Sequence, residues 1–247
     1  MPSAMQPSPG ELSATDRVLI DELRALEETM ECNYCWVFEV IAPFLGRSLL
    51  EVGSGVGVMS QYLVARGSPV ILSDHHPVYV EHLRVRFGGH ANVSLQILDL
   101  DVQPYDVGRA IDTVVCLNVL EHMADDRRVL RGLAELLPAG GRLALQVPQY
   151  PALFGSLDAS YGHFRRYGRR GLEHCLTGAG FSVVEMRNFN PLAIPGWIVS
   201  GKLLRSRRLD PRLTRLFNAI VPIARRLDFL SRFAGLALIA FAERRRE

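Results

Sequence analysis

Two stretches of this 247-residue chain carry side chains whose types and spacing could do chemistry. The first is D-A-S-Y-G-H-F-R-R-Y, Asp158 to Tyr167, which brings together an imidazole, two guanidinium groups, a carboxylate and two phenols. Imidazole titrates near neutral pH, so His163 could take a proton from a substrate hydroxyl or ammonium group. Arg165 and Arg166 read either as partners of a ligand or as plain exposed charges. His122, in V-L-E-H at Val119 to His122, is a second candidate base, or a residue that only bonds backbone and shapes a pocket. The other stretch is L-L-E-V-G-S-G-V-G, Leu49 to Gly57, in which an apolar run enters glycines at Gly53, Gly55 and Gly57. Glycine lets the backbone turn sharply and lets a ligand approach it without a Cβ in the way. The spacing is not the dinucleotide fingerprint, whose third glycine would fall at Val58. Glu51 opens the motif instead, and its carboxylate could fix the loop or accept a hydrogen bond from an ammonium group. Taken alone, such a loop also reads as a tight turn with no ligand.

The elements that must position these residues alternate along the chain. Leu49 to Val52 reads as a first strand, followed by a helix over Val58 to Arg66. A second strand, Val70 to Ser73, ends at Asp74, where an acid can take the hydroxyls of a ribose or merely cap the next helix. Val93 to Leu98 ends at Asp99, and Ile111 to Leu117 ends at Asn118. Pro138, Gly140 and Gly141 stop a helix over Asp125 to Leu137 and turn the chain into a fifth strand, Arg142 to Val147. Helices over Val78 to Phe87 and Arg169 to Gly178, a sixth strand over Phe181 to Asn188 and a last strand over Leu236 to Ala242 complete the pattern. This alternation predicts an α/β fold, a doubly wound and mostly parallel seven-stranded sheet with helices on both faces.

With these residues in order, the chain resembles the class I, Rossmann-like methyltransferases that use S-adenosylmethionine, of the bacterial small-molecule or lipid type. Glu51 to Gly57 matches their E/D-x-G-x-G-x-G, Asp74 and Asp99 their acids after strands two and three, Leu120 to His122 their L-E-H, and Pro138 to Gly141 their turn before strand five. The resemblance implies S-adenosylmethionine as cofactor, held by Tyr34, Glu51, Gly53, Gly55, Gly57, Asp74, Asp99, Leu100 and Asn118. It places as catalytic candidates His122, which follows strand four close to where the sulfonium should lie, and His163, on the loop after strand five that faces the methyl acceptor in that family. G-H-F-R-R-Y, Gly162 to Tyr167, also resembles a G-H-x-R-R-Y pattern in a subgroup of the same fold. Asp158, Arg165, Arg166, Tyr167 and Trp197 are then expected to face the acceptor, a small molecule of amphipathic, lipid-like or secondary-metabolite type. No metal is expected, since some ubiquinone-pathway O-methyltransferases resembling this type bind a divalent metal with an extra glutamate three positions before the Glu of E-H, where this chain has Asn118. The family's last strand inserts antiparallel beside the sixth.

Composition sets the remaining bounds. The chain is long enough for one domain with a sizeable core, and no run reaches the ~18 apolar residues of a spanning helix. Residues 1–16 are rich in Pro, Ser and Ala and read as a disordered leader, with residues 17–247 forming a single methyltransferase domain. Helices over Asp16 to Glu28 and Tyr34 to Phe44 form an N-terminal cap, 17–46. Cys32, Cys35, Cys116 and Cys175 read as reduced thiols of a cytoplasmic protein, because the C-x-x-C pair lacks a second pair to complete a zinc site. Residues 1–162 hold 11 basic against 20 acidic side chains, whereas 163–247 hold 17 against 6. That asymmetry suggests something anionic meets the C-terminal third, and peripheral contact with an anionic membrane is compatible with it.

The connection before the last strand, 190–234, is long for its kind and reads as a helical lid. Leu213, Leu216, Phe217, Ile220, Ala224 and Leu227 recur at helical spacing, and Pro222 should kink that helix. An amphipathic cover packed on the domain, a lid over a hydrophobic substrate and binding in a membrane interface all fit this pattern. Nucleic acid is disfavoured: Asn118 to Glu121 lacks the N/D-P-P-Y/F of exocyclic-amine methylation, and no recognisable RNA-binding module is appended. A methyltransferase-like binding protein without catalysis is the alternative class, and the intact glycine loop with Asp74 and Asp99 argues against it.

Overall fold

The computed structural model describes Ile20 and residues 29–246; the expected leader, and the first cap helix apart from Ile20, lie outside them. In chain order the described residues form α1 (Glu31–Ile41), β1 (Leu49–Val52), α2 (Ser60–Ala65), β2 (Val70–Asp74), α3 (Pro77–Phe87), β3 (Val93–Ile97), β4 (Thr113–Leu117) and α4 (Asp126–Leu136). There follow β5 (Arg142–Pro148), α5 (Ser156–Ser160), α6 (Arg169–Gly178), β6 (Phe181–Phe189), α7 (Ala193–Trp197), α8 (Pro211–Arg226) and β7 (Ala237–Arg244). Among these residues one seven-stranded sheet runs β3-β2-β1-β4-β5-β7-β6. β1 to β5 are parallel, and β7 lies antiparallel between β5 and β6. The expected sheet, its strand number and the antiparallel last strand are all present.

Side-chain alternation along the central strands explains why both faces are covered. Leu50, Val52, Val114 and Cys116 point into one core with Leu130 and Leu133 of α4 and Leu172 and Leu176 of α6. Leu49, Val115, Ala144 and Ile239 point into the other with Trp36 of α1, Leu63 of α2 and Leu83 of α3. A parallel sheet buried on both sides needs apolar residues at successive positions, and β1 and β2 are buried at every residue. β4 begins at Thr113, two residues later than its apolar run, because the N–H groups of Asp112 and Thr113 both turn to the Ser48 carbonyl. The four cysteines are free thiols.

The long connection before β7 is folded. After α7 come a π-helical turn, Ile198–Leu203, then α8 and a 3₁₀ turn, Asp228–Arg232. It is tied to α1: Asn190 Nδ2 donates to Asn33 Oδ1 (3.0 Å), the Cys32 N–H donates to Asn218 Oδ1 (2.9 Å), and Arg225 pairs with Glu39. α8 runs on through Pro222 to Arg226. The single apolar stripe read from its sequence divides in two. Val221 and Ala224 are buried, with Phe217 packed beside them, whereas Leu213, Leu216 and Ile220 are exposed.

Candidate active site

The glycine loop leaves the carboxyl end of β1 with φ of 69°, 54° and 84° at Gly53, Gly55 and Gly57, a left-handed conformation that favours glycine. At Gly53 a Cβ would also lie 2.4 Å from Val119 Cγ2, and at Gly57 2.7 Å from Phe87 Cε2, so packing within the protein demands both glycines. Glu51, 4% exposed, fixes this turn. Its Oε2 accepts from Ser54 Oγ (2.9 Å) and Ser60 Oγ (2.5 Å). Burial pushes its carboxyl up to about 7, against the two serine hydrogen bonds. Of the two roles open to Glu51 in the sequence, loop fixing is the one this geometry displays.

Asp74 ends β2 against the same loop. Its Oδ2 accepts from the Gly55 N–H and its Oδ1 from the His76 N–H, each at 3.0 Å, with His75 Nδ1 at 3.2 Å from Oδ1. A carboxylate has about four acceptor sites, two on each oxygen, so Oδ2 keeps capacity for a hydroxyl donor. Tyr34 packs with Val56 and Val58 over the loop. Asp99 is exposed beyond β3, where its Oδ1 caps the Asp101 N–H; Leu100 is buried, its carbonyl accepting from Tyr105. Asn118 follows β4 at φ 54°, exposed, with Oδ1 held by Gln146 Nε2 (3.1 Å). A left-handed glycine turn, an acid with a spare acceptor site and exposed Asp99 and Asn118 on the neighbouring strand ends fit an adenosyl ligand carrying an ammonium and a ribose.

The histidines meet one strand further on. β4 leads into a 3₁₀ turn, Leu120–His122, whose preceding residue Val119 packs on Gly53. The loop after β5 folds back on that turn, since the Phe164 N–H donates to the Glu121 carbonyl (2.8 Å). This sets the His122 and His163 rings edge to face, centroids 4.8 Å apart. His163 Nδ1 lies 3.0 Å from Asp158 Oδ1, and Arg166 Nε donates to the same oxygen at 2.7 Å. A carboxylate only accepts, so the Nδ1 of His163 carries the hydrogen and Nε2 is its basic atom. Burial opposes charge on Asp158, but the hydrogen bond from His163 and the Arg166 guanidinium outweigh it and hold the carboxyl below its ordinary range. His122 is pushed the other way, down to about 4, by burial and by His163, so it is neutral at pH 7.

The expected acceptor-facing set separates in the structure. Asp158 and Arg166 have side chains 0% and 1% exposed, and Tyr167 is buried with its hydroxyl donating to Asp126 Oδ2 (2.9 Å). These three turn inward, Asp158 and Arg166 onto each other and Tyr167 onto Asp126. Burying the carboxylate is tolerable only because the guanidinium and imidazole share it. Arg165 bridges Asp126 (2.9 Å) and the Ala124 carbonyl and stays partly exposed. Trp197 stacks on Arg166, guanidinium carbon 4.4 Å from its ring, and so joins the insertion to this network. Sequence reasoning assigned no role to Glu121 or Asp126. Glu121 is 1% exposed, its Oε2 has no hydrogen-bond partner among the described residues, and burial pushes its carboxyl up to about 8. Its place in V-L-E-H was the only sequence signal. Ligand-type atoms of Glu121, His122 and His163 lie within 4.8 Å of one another, so this cluster could also hold a metal ion if Glu121 lost its proton.

A family model described as a methyltransferase domain matches residues 26–186, well over half of the chain. This chain belongs to that family. Its methyl donor is therefore S-adenosylmethionine. Among curated proteins it is similar to the ubiquinone biosynthesis O-methyltransferase of Acinetobacter baumannii (strain AYE), at 22% identity over 194 residues, 72% of this chain and 82% of that protein. Among solved structures, one is the complex between the Haloferax volcanii Trm112 methyltransferase activator and a methyltransferase (TM-score 0.63, 19% identity, 92% of this chain and 96% of that chain). Another is an S-adenosylmethionine-dependent methyltransferase from Mesorhizobium loti (TM-score 0.60, 15% identity, 84% and 97%). At these identities the structural likeness establishes the fold.

Proposed function

We propose that this methyltransferase acts on a hydroxyl group of a small amphipathic acceptor, lipid-like or a secondary metabolite, with His163 as the general base. The observation that carries the reading is the histidine pair backed by the buried Asp158–Arg166 ion pair. When bound, S-adenosylmethionine supplies a methyl group on a sulfonium, whose thioether leaves without an acid. The chain must then hold the acceptor oxygen in line and remove its proton. Asp158 holds the His163 ring so that Nε2 is the accepting atom and stabilises the charge that forms there. His122 is too weak a base at a value of about 4 and serves as the neutral wall against which His163 is set. Glu51 and the three glycines shape the cofactor turn, Asp74 takes ribose hydroxyls, Asp99 and Leu100 border the adenine, and Tyr34 and Asn118 close the sides. The O-methylating relative supports oxygen as the atom methylated.

The test is turnover of His163→Ala and His122→Ala on a panel of hydroxylated amphiphiles. His163→Ala should lose about 10²–10⁴-fold in kcat with cofactor affinity unchanged. Full activity of His163→Ala across the pH range overturns the assignment. Activity of the wild type that vanishes with a chelator and returns with a divalent cation would replace the base by a metal at Glu121, His122 and His163.

A further inference from the structure

Among the described residues, eight of the thirteen exposed large hydrophobic side chains fall within 190–234. Leu203, 71% exposed, and Leu204, 68%, end the π-helical turn. Nine positions after Leu204, α8 presents Leu213, Leu216 and Ile220 at i, i+3 and i+7, all on one face and all exposed. Phe229 and Phe233 are exposed beyond the end of α8. A soluble surface scatters such residues singly, and their concentration in one element marks an interaction site.

The charges around them choose the partner. Residues 205–212, between the two apolar groups, contain Arg205, Arg207, Arg208 and Arg212. On α8, Arg212, Arg215 and Arg226 fall on the flank of the exposed stripe away from buried Val221 and Ala224. The whole segment holds nine basic and two acidic residues. A second copy would set this positive face against itself, which like charge opposes. Nucleic acid would use the arginines and leave the leucines in water. Apolar side chains flanked by arginine are what the headgroup region of an anionic bilayer accommodates. No helix among the described residues is long and apolar enough to cross a membrane, so such contact would lie in the interface plane.

We propose that the 190–234 insertion docks on the surface of an anionic lipid bilayer, seating Leu203, Leu204 and the Leu213–Leu216–Ile220 stripe among the headgroups with the flanking arginines on lipid phosphates. The docking face is continuous with the candidate site. Ser156 Oγ donates to the carbonyls of Gly201 (3.0 Å) and Ser206 (2.6 Å), Ser160 Oγ to that of Arg207 (2.6 Å), and the Leu209 N–H to the Tyr161 hydroxyl (3.2 Å). α5 and Tyr161, which these bonds grip, lead directly into His163. A membrane-held insertion thus places the loop of the candidate base at the lipid surface, where amphiphiles partition. The docking itself does not rest on the hydroxyl-acceptor reading, and either can fail without the other.

The experiment is co-sedimentation of the full chain with phosphatidylcholine vesicles and with vesicles containing phosphatidylglycerol, at low and high salt. Binding is expected only to the phosphatidylglycerol vesicles and should weaken at high salt. The Arg205/Arg207/Arg212→Ala variant should bind at least about tenfold more weakly, given the attraction of each basic residue near such a surface. Leu203/Leu204/Leu216→Ser should also lose binding while keeping its Tm and its thermal response to cofactor, since it changes exposed positions only. Absence of wild-type binding to the anionic vesicles, or equal binding by both variants, overturns the proposal. So does a dimer in solution that the leucine variant dissolves, which would assign the face to a second copy.

Discussion

Glu51 and Glu121 are carboxyl groups that the carboxyl edge of the sheet takes almost wholly out of water, and burial moves both toward the protonated form. For Glu51 the direction has a consequence for stability. In the unfolded chain its carboxyl titrates near 4.5, and in the fold near 7. Between those values the folded state binds the extra proton, so stability falls as pH rises through this window and is level above it. Glu51→Gln keeps an oxygen for Ser54 and Ser60 but cannot ionise. Wild type and variant should be equally stable near about pH 4, and the variant should lead by up to about 3 kcal/mol near about pH 8. Urea unfolding at the two pH values measures it, and a constant difference between the proteins would show that Glu51 does not titrate in this window. Asp158 behaves oppositely. Its lowered carboxyl contributes stability that is present above the unfolded value and lost as pH falls through the folded one.

Among the elements, α8 shows where a pattern underdetermines packing. Leu213, Leu216 and Ile220 satisfy helical spacing as well as Phe217, Val221 and Ala224 do, so periodicity finds the helix without saying which stripe is covered. The choice belongs to the tertiary partner: α1, joined to α8 through Cys32 and Glu39, takes the Val221 side. Val221→Ala should therefore cost about 1–3 kcal/mol in urea unfolding, whereas Leu216→Ala should stay within about 0.5 kcal/mol of wild type. The reverse order of costs would mean that the exposed stripe is covered in solution. The strands were legible for the contrary reason. Buried on both faces, β1, β2 and β4 are mostly apolar runs, and Gly53, Asp74 and Asn118 mark where each stops. The inward turn of Asp158 and Arg166 was not legible, because two charges eight positions apart pair in a core only once the loop has folded onto the Leu120–His122 turn. Sequence offered their types and spacing, which suit a substrate contact equally well.

At the scale of the whole molecule, the strand order places the glycine loop where the sheet reverses. β1 is followed outward by β2 and β3 on one side and by β4 and β5 on the other, and a ligand at this switch point touches strand ends from both directions. Asp74, Asp99 and Asn118 stand at the ends of β2, β3 and β4, so a bound adenosyl ligand would tie the two halves of the sheet together. Binding to the folded state alone raises stability by about 2.7 kcal/mol at a hundredfold excess over Kd, roughly 5–10 °C in Tm for a chain of this size. We expect a shift of that order with S-adenosylmethionine and with its demethylated product. Asp74→Ala also removes the acceptor for Gly55 and His76, so its own Tm should fall. The informative quantity is the further shift on adding ligand, which should be nearly abolished in Asp74→Ala and much reduced in Asp74→Asn, whose amide keeps a single acceptor oxygen. An undiminished shift in both variants would move the ribose site away from Asp74. A wild type that responds to neither compound would mean that this fold retains the cradle without using it.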